Sequence, residues 1–250
     1  MARIVSVHSF RGGTGKSNTV ANVAALLAAG GRRVGVVDTD IQSPGIHVLF
    51  GQHSAELPKT LNDYLWGRAK IAEAAYDVTP PMEASAGRIF LIPSSAHTTE
   101  IARVLREGYD SGDLVRGLRE LIDQLALDVL IIDTHPGINE ETLLSIAISH
   151  TLIVMMRPDS QDYEGTGIAI EVARQLGVPN LLLVVNKVPA VLDRAAMQAQ
   201  VEQTYNCPVA AMLPHSDELM VLGSEGLFVL RFPAHPMTAL YQQIADRLLV

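Results

Sequence analysis

Seven short apolar runs punctuate the chain, at residues 3–7, 33–38, 88–93, 128–133, 151–156, 180–185 and 208–213. Several show no polar alternation, which predicts strands buried on both faces. Between them the apolar residues recur with helical spacing, over 17–31, 113–126, 140–150, 165–177 and 193–205, and once more over 236–250. Gly30 and Gly177 fit helix stops, and Asp193 fits an N-cap. Strands alternating with helices predict an α/β fold, a mostly parallel, doubly wound sheet with helices on both faces. No repeat, low-complexity tract or linker divides residues 1–250, so the expectation is a single domain. The least regular stretch, roughly 51–87, reads as an insertion on it.

In an open parallel sheet the ligand site lies beyond the carboxyl ends of the strands, and four such ends carry suggestive residues. After the first run stands "FRGGTGKSN", residues 10–18. Gly12, Gly13 and Gly15 let backbone amides approach phosphates, and the helix that follows adds its N-terminal dipole. Lys16 is placed to reach β- and γ-phosphates, and Ser17 to hold Mg²⁺. Thr14 and Asn18 belong to the same loop. The usual pattern puts glycine five places before Gly15, but Phe10 stands there.

The second run ends in "VVDTD". Just past that strand Asp38 and Asp40 are expected to point to opposite sides, one suited to the Mg²⁺ shell and the other to the attacking water. A solvated turn is the plainer reading of that pair. The third run ends in "IIDTHPG", where Asp133 suits Mg²⁺ through water. The Gly137 amide there is placed to sense a γ-phosphate. His135 reads as a packing or surface residue rather than a base, because phosphoryl transfer to water is mostly positioning and electrostatics. The fourth run ends in Asn186 and Lys187, a donor–acceptor pair for a base edge and a cation to pack over it.

Composition narrows this picture. Net charge is −8, which excludes a uniformly basic surface but not a local basic patch. The one cysteine, Cys207, cannot make an internal disulfide or a tetrathiolate site and reads as a small buried hydrophobe. The N-terminus reads as a strand, not a signal peptide, and no apolar run approaches the roughly 18 residues of a membrane span. A cytoplasmic location is expected.

With Arg11-Gly-Gly-Thr-Gly-Lys16-Ser17, Asp38-Thr-Asp40 and Ile132-Asp133-Thr-His-Pro-Gly137 in this order, the sequence resembles the ParA/MinD family of deviant-Walker P-loop ATPases. Residues 46–51, 89–95 and 212–229 extend the resemblance over nearly the whole chain. It implies a P-loop fold, ATP and Mg²⁺ as ligands, slow hydrolysis by an ATP-dependent homodimer, and an adaptor protein that stimulates it. It assigns Lys16 to phosphate, Ser17 and Asp133 to Mg²⁺, Asp40 to the attacking water and Asn186 to the neighbourhood of adenine. Pro214 falls in the late segment that passes near the base.

The family's lysine before the paired glycines reaches the partner's nucleotide, and here that position holds Arg11. Arginine is not equivalent to lysine in such a role. The carboxysome-positioning branch is similar in lacking that lysine. Arg157, after the fifth apolar run, is a second candidate for the cross-subunit cation; its other reading is an ion pair with Asp159 or Asp162. The family also binds DNA without sequence preference, for which Arg103 with Arg106 and Arg116 with Arg119, each spaced i, i+3, are the candidates; solvated helix faces are the alternative. DNA binding would place the protein on the nucleoid. Competing readings are a dethiobiotin-synthetase-like metabolic enzyme and a MinD-like membrane-associated regulator. Against the latter, the last helix carries only Asp246 and Arg247 as charges and no membrane is expected as partner.

Overall fold

The computed structural model describes residues 2–82 and 87–249. Eight strands form one sheet: β1 (Arg3–His8), β2 (Arg33–Asp38), β3 (Tyr76–Asp77), β4 (Arg88–Ile92), β5 (Val129–Asp133), β6 (Thr151–Met156), β7 (Asn180–Val188) and β8 (Val209–Pro214). Their order is β3-β4-β2-β5-β1-β6-β7-β8. Every pairing is parallel except β3 with β4 at the edge. The seven sequence-predicted strands are all present, and β1 lies inside the sheet between β5 and β6.

The helices are α1 (Lys16–Ala29), α2 (Ile46–Leu49), α3 (Leu61–Leu65), α4 (Thr98–Glu107), α5 (Ser111–Gln124), α6 (Glu140–Ala147), α7 (Ser160–Gln175), α8 (Arg194–Tyr205), α9 (Asp217–Leu222), α10 (Phe228–Arg231) and α11 (Pro236–Arg247). Alternate strand residues feed two faces, as the pleat requires. Val5, Val7, Val34, Val36, Ile131 and Met155 join the core under α1 and α11. Ile4, Val37, Leu130 and Ile132 pack on the other face with α3 and α5. Leu152, Val154 and Met156 pack there with α7 and α8. The α1 helix is apolar almost all round, Val20 to Ala28, because it lies between the sheet and α11.

Two local signals act as predicted. Asp193 caps α8 by accepting from the amides of Ala195 and Ala196, and Gly30 and Gly31 end α1, Gly31 with a left-handed φ of 86°. The stretch 51–87 corrects the expectation of an insertion. Its β3 extends the sheet, and Leu61, Leu65 and Ile71 are buried in the core. Short elements with one or two apolar anchors have no periodicity to read, so they were invisible in the sequence. Residues 83–86 of that stretch lie outside the described residues. No described helix is long and apolar enough to cross a membrane.

Candidate functional site

The sheet topology brings the four strand ends together. In register, Val7 faces Asp133 across β1–β5, and Asp38 faces Asp133 across β2–β5. The phosphate loop leaves β1 at the sheet centre and turns into α1 through Gly15, whose φ of 93° favours glycine. Gly12 and Gly13 are exposed at its crest, and Gly13 also has a left-handed φ, 74°.

Lys16 is buried at the base of this loop, where its Nζ donates to Ser9 Oγ at 3.2 Å. Burial pushes its ammonium below the usual range, and Asp133, Asp40 and Asp38 oppose that shift. All three carboxylates therefore bear on one cation. Asp133 is wholly buried; desolvation raises its pKa to about 6, against the pull of Ser17 and Lys16. Its Oδ1 has no partner. An unpartnered carboxylate oxygen beside the Ser17 hydroxyl and the loop fits a hydrated divalent cation.

Extended strand geometry, which would put residues two apart on one face, does not carry through the Asp38-Thr-Asp40 segment. The strand ends at Asp38, and the chain folds back so that the Asp40 amide donates to Asp38 Oδ1 at 3.0 Å and the Gly45 amide to Oδ2 at 3.2 Å. Asp38 thus closes a loop from the inside, and burial beside Asp133 pushes its carboxyl well above the usual range. Asp40 is the accessible member of the pair. Its Oδ1 accepts from the Ser43 amide at 3.0 Å and lies 3.9 Å from His135 Nε2. Burial raises the Asp40 carboxyl, and His135 and Lys16 counteract this.

Three residues expected near the nucleotide also contact the phosphate loop or its flank. Asn186 is partly engaged: its Nδ2 donates to Thr14 O at 2.8 Å and its Oδ1 accepts from the Lys187 amide, which leaves one N–H and one lone pair of the side chain. Its Nδ2 occupies the space that a β-carbon on Gly15 would need. Lys187, in a left-handed conformation with φ 57°, donates from Nζ to Gly13 O at 2.9 Å. Both residues brace the phosphate loop from behind. The Gly137 amide likewise donates to Ser9 O at 3.1 Å, within the loop's own neighbourhood. Beside them opens a cavity of about 470 Å³ lined in part by Gly13, Gly15, Asn18, Asn186, Pro214 and Met220, large enough for a nucleoside.

Arg11 and Arg157 converge on the first turn of α7. Arg11 Nη1 lies 3.4 Å from Asp159 Oδ1 and 3.5 Å from Asp162 Oδ1. Arg157 donates to Asp162 from its amide at 2.9 Å, from Nε at 3.0 Å and from Nη2 at 3.2 Å. The ion-pair reading of Arg157 is therefore the one the fold adopts. Burial of Asp162 favours its neutral form, but the Arg157 hydrogen bonds outweigh it and hold the carboxyl below its ordinary range. Sequence reasoning missed the acceptor role of Ser9, the meeting of both arginines at Asp162 and the seat of Phe10, whose ring packs against Gly165 of α7. The Phe10–Gly165 and Arg11–Asp162 contacts join positions about 150 residues apart, which no local spacing marks; Ser9 and Lys16 lie seven apart, at a spacing that no loop motif singles out.

The four arginines weighed for DNA lie on α4 and α5. Arg103 stacks over Trp66 at 3.9 Å and pairs with Glu107 at 3.0 Å. Arg116 pairs with Asp113. Arg106 and Arg119 are exposed, and among the described residues neither has an acidic partner.

A family model described as ParA, the NUBPL iron-transfer P-loop NTPase, matches residues 1–249. An uncharacterised ATP-binding protein of Methanocaldococcus jannaschii is 28% identical over 250 residues, 100% of this chain and 88% of that protein. Among solved structures, the septum site-determining protein MinD of Pyrococcus horikoshii, complexed with Mg-ADP, superposes with a TM-score of 0.81 at 21% identity, over 99% of this chain and 96% of that one. The apo McdA structure of Cyanthece superposes with a TM-score of 0.78 at 17% identity, over 100% of both chains.

Proposed function

The chain belongs to this ParA family of P-loop NTPases, and on that premise we propose that it is a Mg²⁺-dependent ATPase of the ParA/MinD type that associates with a second copy when ATP is bound and positions a cargo. The observation that carries the reading is the buried set Lys16, Asp38 and Asp133, with half-buried Ser17 and Asp40 beside it, all at the end of a glycine-bounded loop next to a nucleoside-sized cavity.

The geometry supports these roles. Backbone amides from Gly13 to Ser17 and the Lys16 ammonium meet the phosphates. Ser17 and, through water, Asp133 would hold Mg²⁺, which would supply positive charge to the phosphates. Asp40 orients the attacking water, since it is the carboxylate with access to the mouth of the site. Asn186 and Lys187 keep the loop in place. Of the two arginines, Arg11 is the better candidate for a cation that reaches the second copy. It is 40% exposed and loosely held, whereas Arg157 is 25% exposed and triply bonded.

An iron-transfer role, suggested by the family model's description, is less favoured. Such transfer needs accessible thiolates, and Cys207, the one thiol, is buried with its pKa pushed up to about 11 by desolvation. The membrane-bound reading also loses support, since Met237, Tyr241, Ile244 and Ala245 turn the apolar face of α11 into the core. Phosphate release from ATP and Mg²⁺ without any metabolite, with and without duplex DNA, tests the proposal. Turnover that requires an added small-molecule acceptor would instead indicate a ligase.

A further inference from the structure

Phe10 occupies a position that the ordinary phosphate loop gives to glycine, and the fold shows what replaces glycine's freedom. The ring of Phe10 packs directly on Gly165, a buried helical residue of α7. A β-carbon built on Gly165 would lie 2.6 Å from the Phe10 β-carbon and closer still to the ring. One turn earlier on the same helix, Asp162 meets Arg11, the next residue of the loop. Two successive loop residues are thus seated on two α7 residues spaced i, i+3. The contact is in close reach of the phosphate site, because Ser9, just before Phe10, accepts from Lys16 Nζ and from the Gly137 amide.

We infer that Gly165 is a positioning residue of the phosphate loop, acting through Phe10: the absence of a side chain at 165 sets the depth at which the loop enters the site, and with it the affinity for the nucleotide phosphates. The inference rests on the phosphate-loop reading for its consequence on ATP, but the seating itself can be read without nucleotide. Helix propensity gives the opposite expectation. Alanine is the better helix former, so Gly165→Ala should strengthen α7 if the position were only a helical site. Gly167 is the internal control, since a β-carbon there has its nearest neighbour, Tyr205 Cε1, at 3.8 Å, an ordinary contact.

Two measurements on the full chain decide it. By calorimetric titration with Mg·ATP, Gly165→Ala should bind at least tenfold more weakly than the parent and Gly167→Ala like the parent. The double variant Phe10→Gly/Gly165→Ala should return to within threefold of the parent, because removing the ring clears the space. By amide hydrogen exchange without nucleotide, residues 11–16 should exchange faster in Gly165→Ala and at the parent rate in Gly167→Ala. In the double variant the exchange need only differ from that of Gly165→Ala. Parent-like exchange of the loop in Gly165→Ala overturns the seating whatever ATP does, and so does failure of the Phe10→Gly change to restore ATP binding. If the parent does not bind ATP, the phosphate-loop reading fails, and the exchange arm alone still decides whether Gly165 positions the loop.

Discussion

Arg157 is fastened to Asp162 by three hydrogen bonds, of 2.9, 3.0 and 3.2 Å, from its amide, Nε and Nη2. With the Asp162 side chain 3% exposed, the pair is a fixed bracket between the end of β6 and α7. Arg157→Ala keeps the amide bond but removes both guanidinium bonds from the buried carboxylate, a loss of about 1.5–3 kcal/mol. Arg157→Ala should therefore lower the thermal midpoint clearly. Arg11→Ala, at a long and exposed contact, should change stability by less than about 1 kcal/mol.

The same contrast predicts association. In an Asp40→Ala background that holds ATP without turnover, sedimentation should show an ATP-dependent dimer that Arg11→Ala abolishes. A dimer that survives loss of Arg11 would return the cross-subunit role to another cation.

Asp40→Ala should keep ATP affinity within a few-fold and lose phosphate release, because the carboxylate stands at the mouth of the site rather than in the phosphate seat. Lys16→Ala should lose roughly ten- to hundredfold in affinity, the worth of one charge-assisted hydrogen bond of about 1.5–3 kcal/mol. Titration calorimetry beside a phosphate-release assay separates the two. Release at the parental rate in Asp40→Ala would sink that assignment.

Acid should act through His8. It is buried under the loop, its Nδ1 2.9 Å from Thr134 Oγ1, and desolvation, with Lys16 and His135, lowers its pKa to about 3. A histidine depressed in the folded state contributes stability above its unfolded value near 6.5 and loses it as pH falls toward 3. The full effect is of order a few kcal/mol. Asp133, raised to about 6, has the opposite sign: its contribution is complete below pH 4 and is lost as pH rises through 6. Urea midpoints at pH 7, 5 and 4 should therefore show a shallower loss on acidification in His8→Asn than in the parent. Parallel curves would contradict this.

DNA binding, where present, should depend on ATP and weaken steeply with salt, since only phosphate contacts are on offer. Arg106 and Arg119 should carry it, because Arg103 and Arg116 are committed to acidic neighbours. Gel shifts on unrelated duplexes with ATP, ADP or no nucleotide are the test. Equal binding in all three, or none with ATP at low salt, refutes it.

What the chain's local order could carry, it carried. Apolar runs without alternation marked seven parallel strands, and glycines before Lys16-Ser17 marked the phosphate loop, because a strand's burial and a loop's backbone needs are written in neighbouring residues. Asp133 was readable for the same reason, as the polar end of an apolar strand. The tertiary structure alone decided how these pieces meet. Asp38 and Asp133 became neighbours only when β5 was placed between β1 and β2. That Asn186 also braces the phosphate loop was decided by the fold, which brings Thr14 O within its reach. Phe10 and Arg11, odd residues in a glycine loop when read along the chain, make sense against Gly165 and Asp162, some 150 residues away. Contacts of that separation depend on how strands are ordered and helices docked, and no period or spacing in the sequence encodes them.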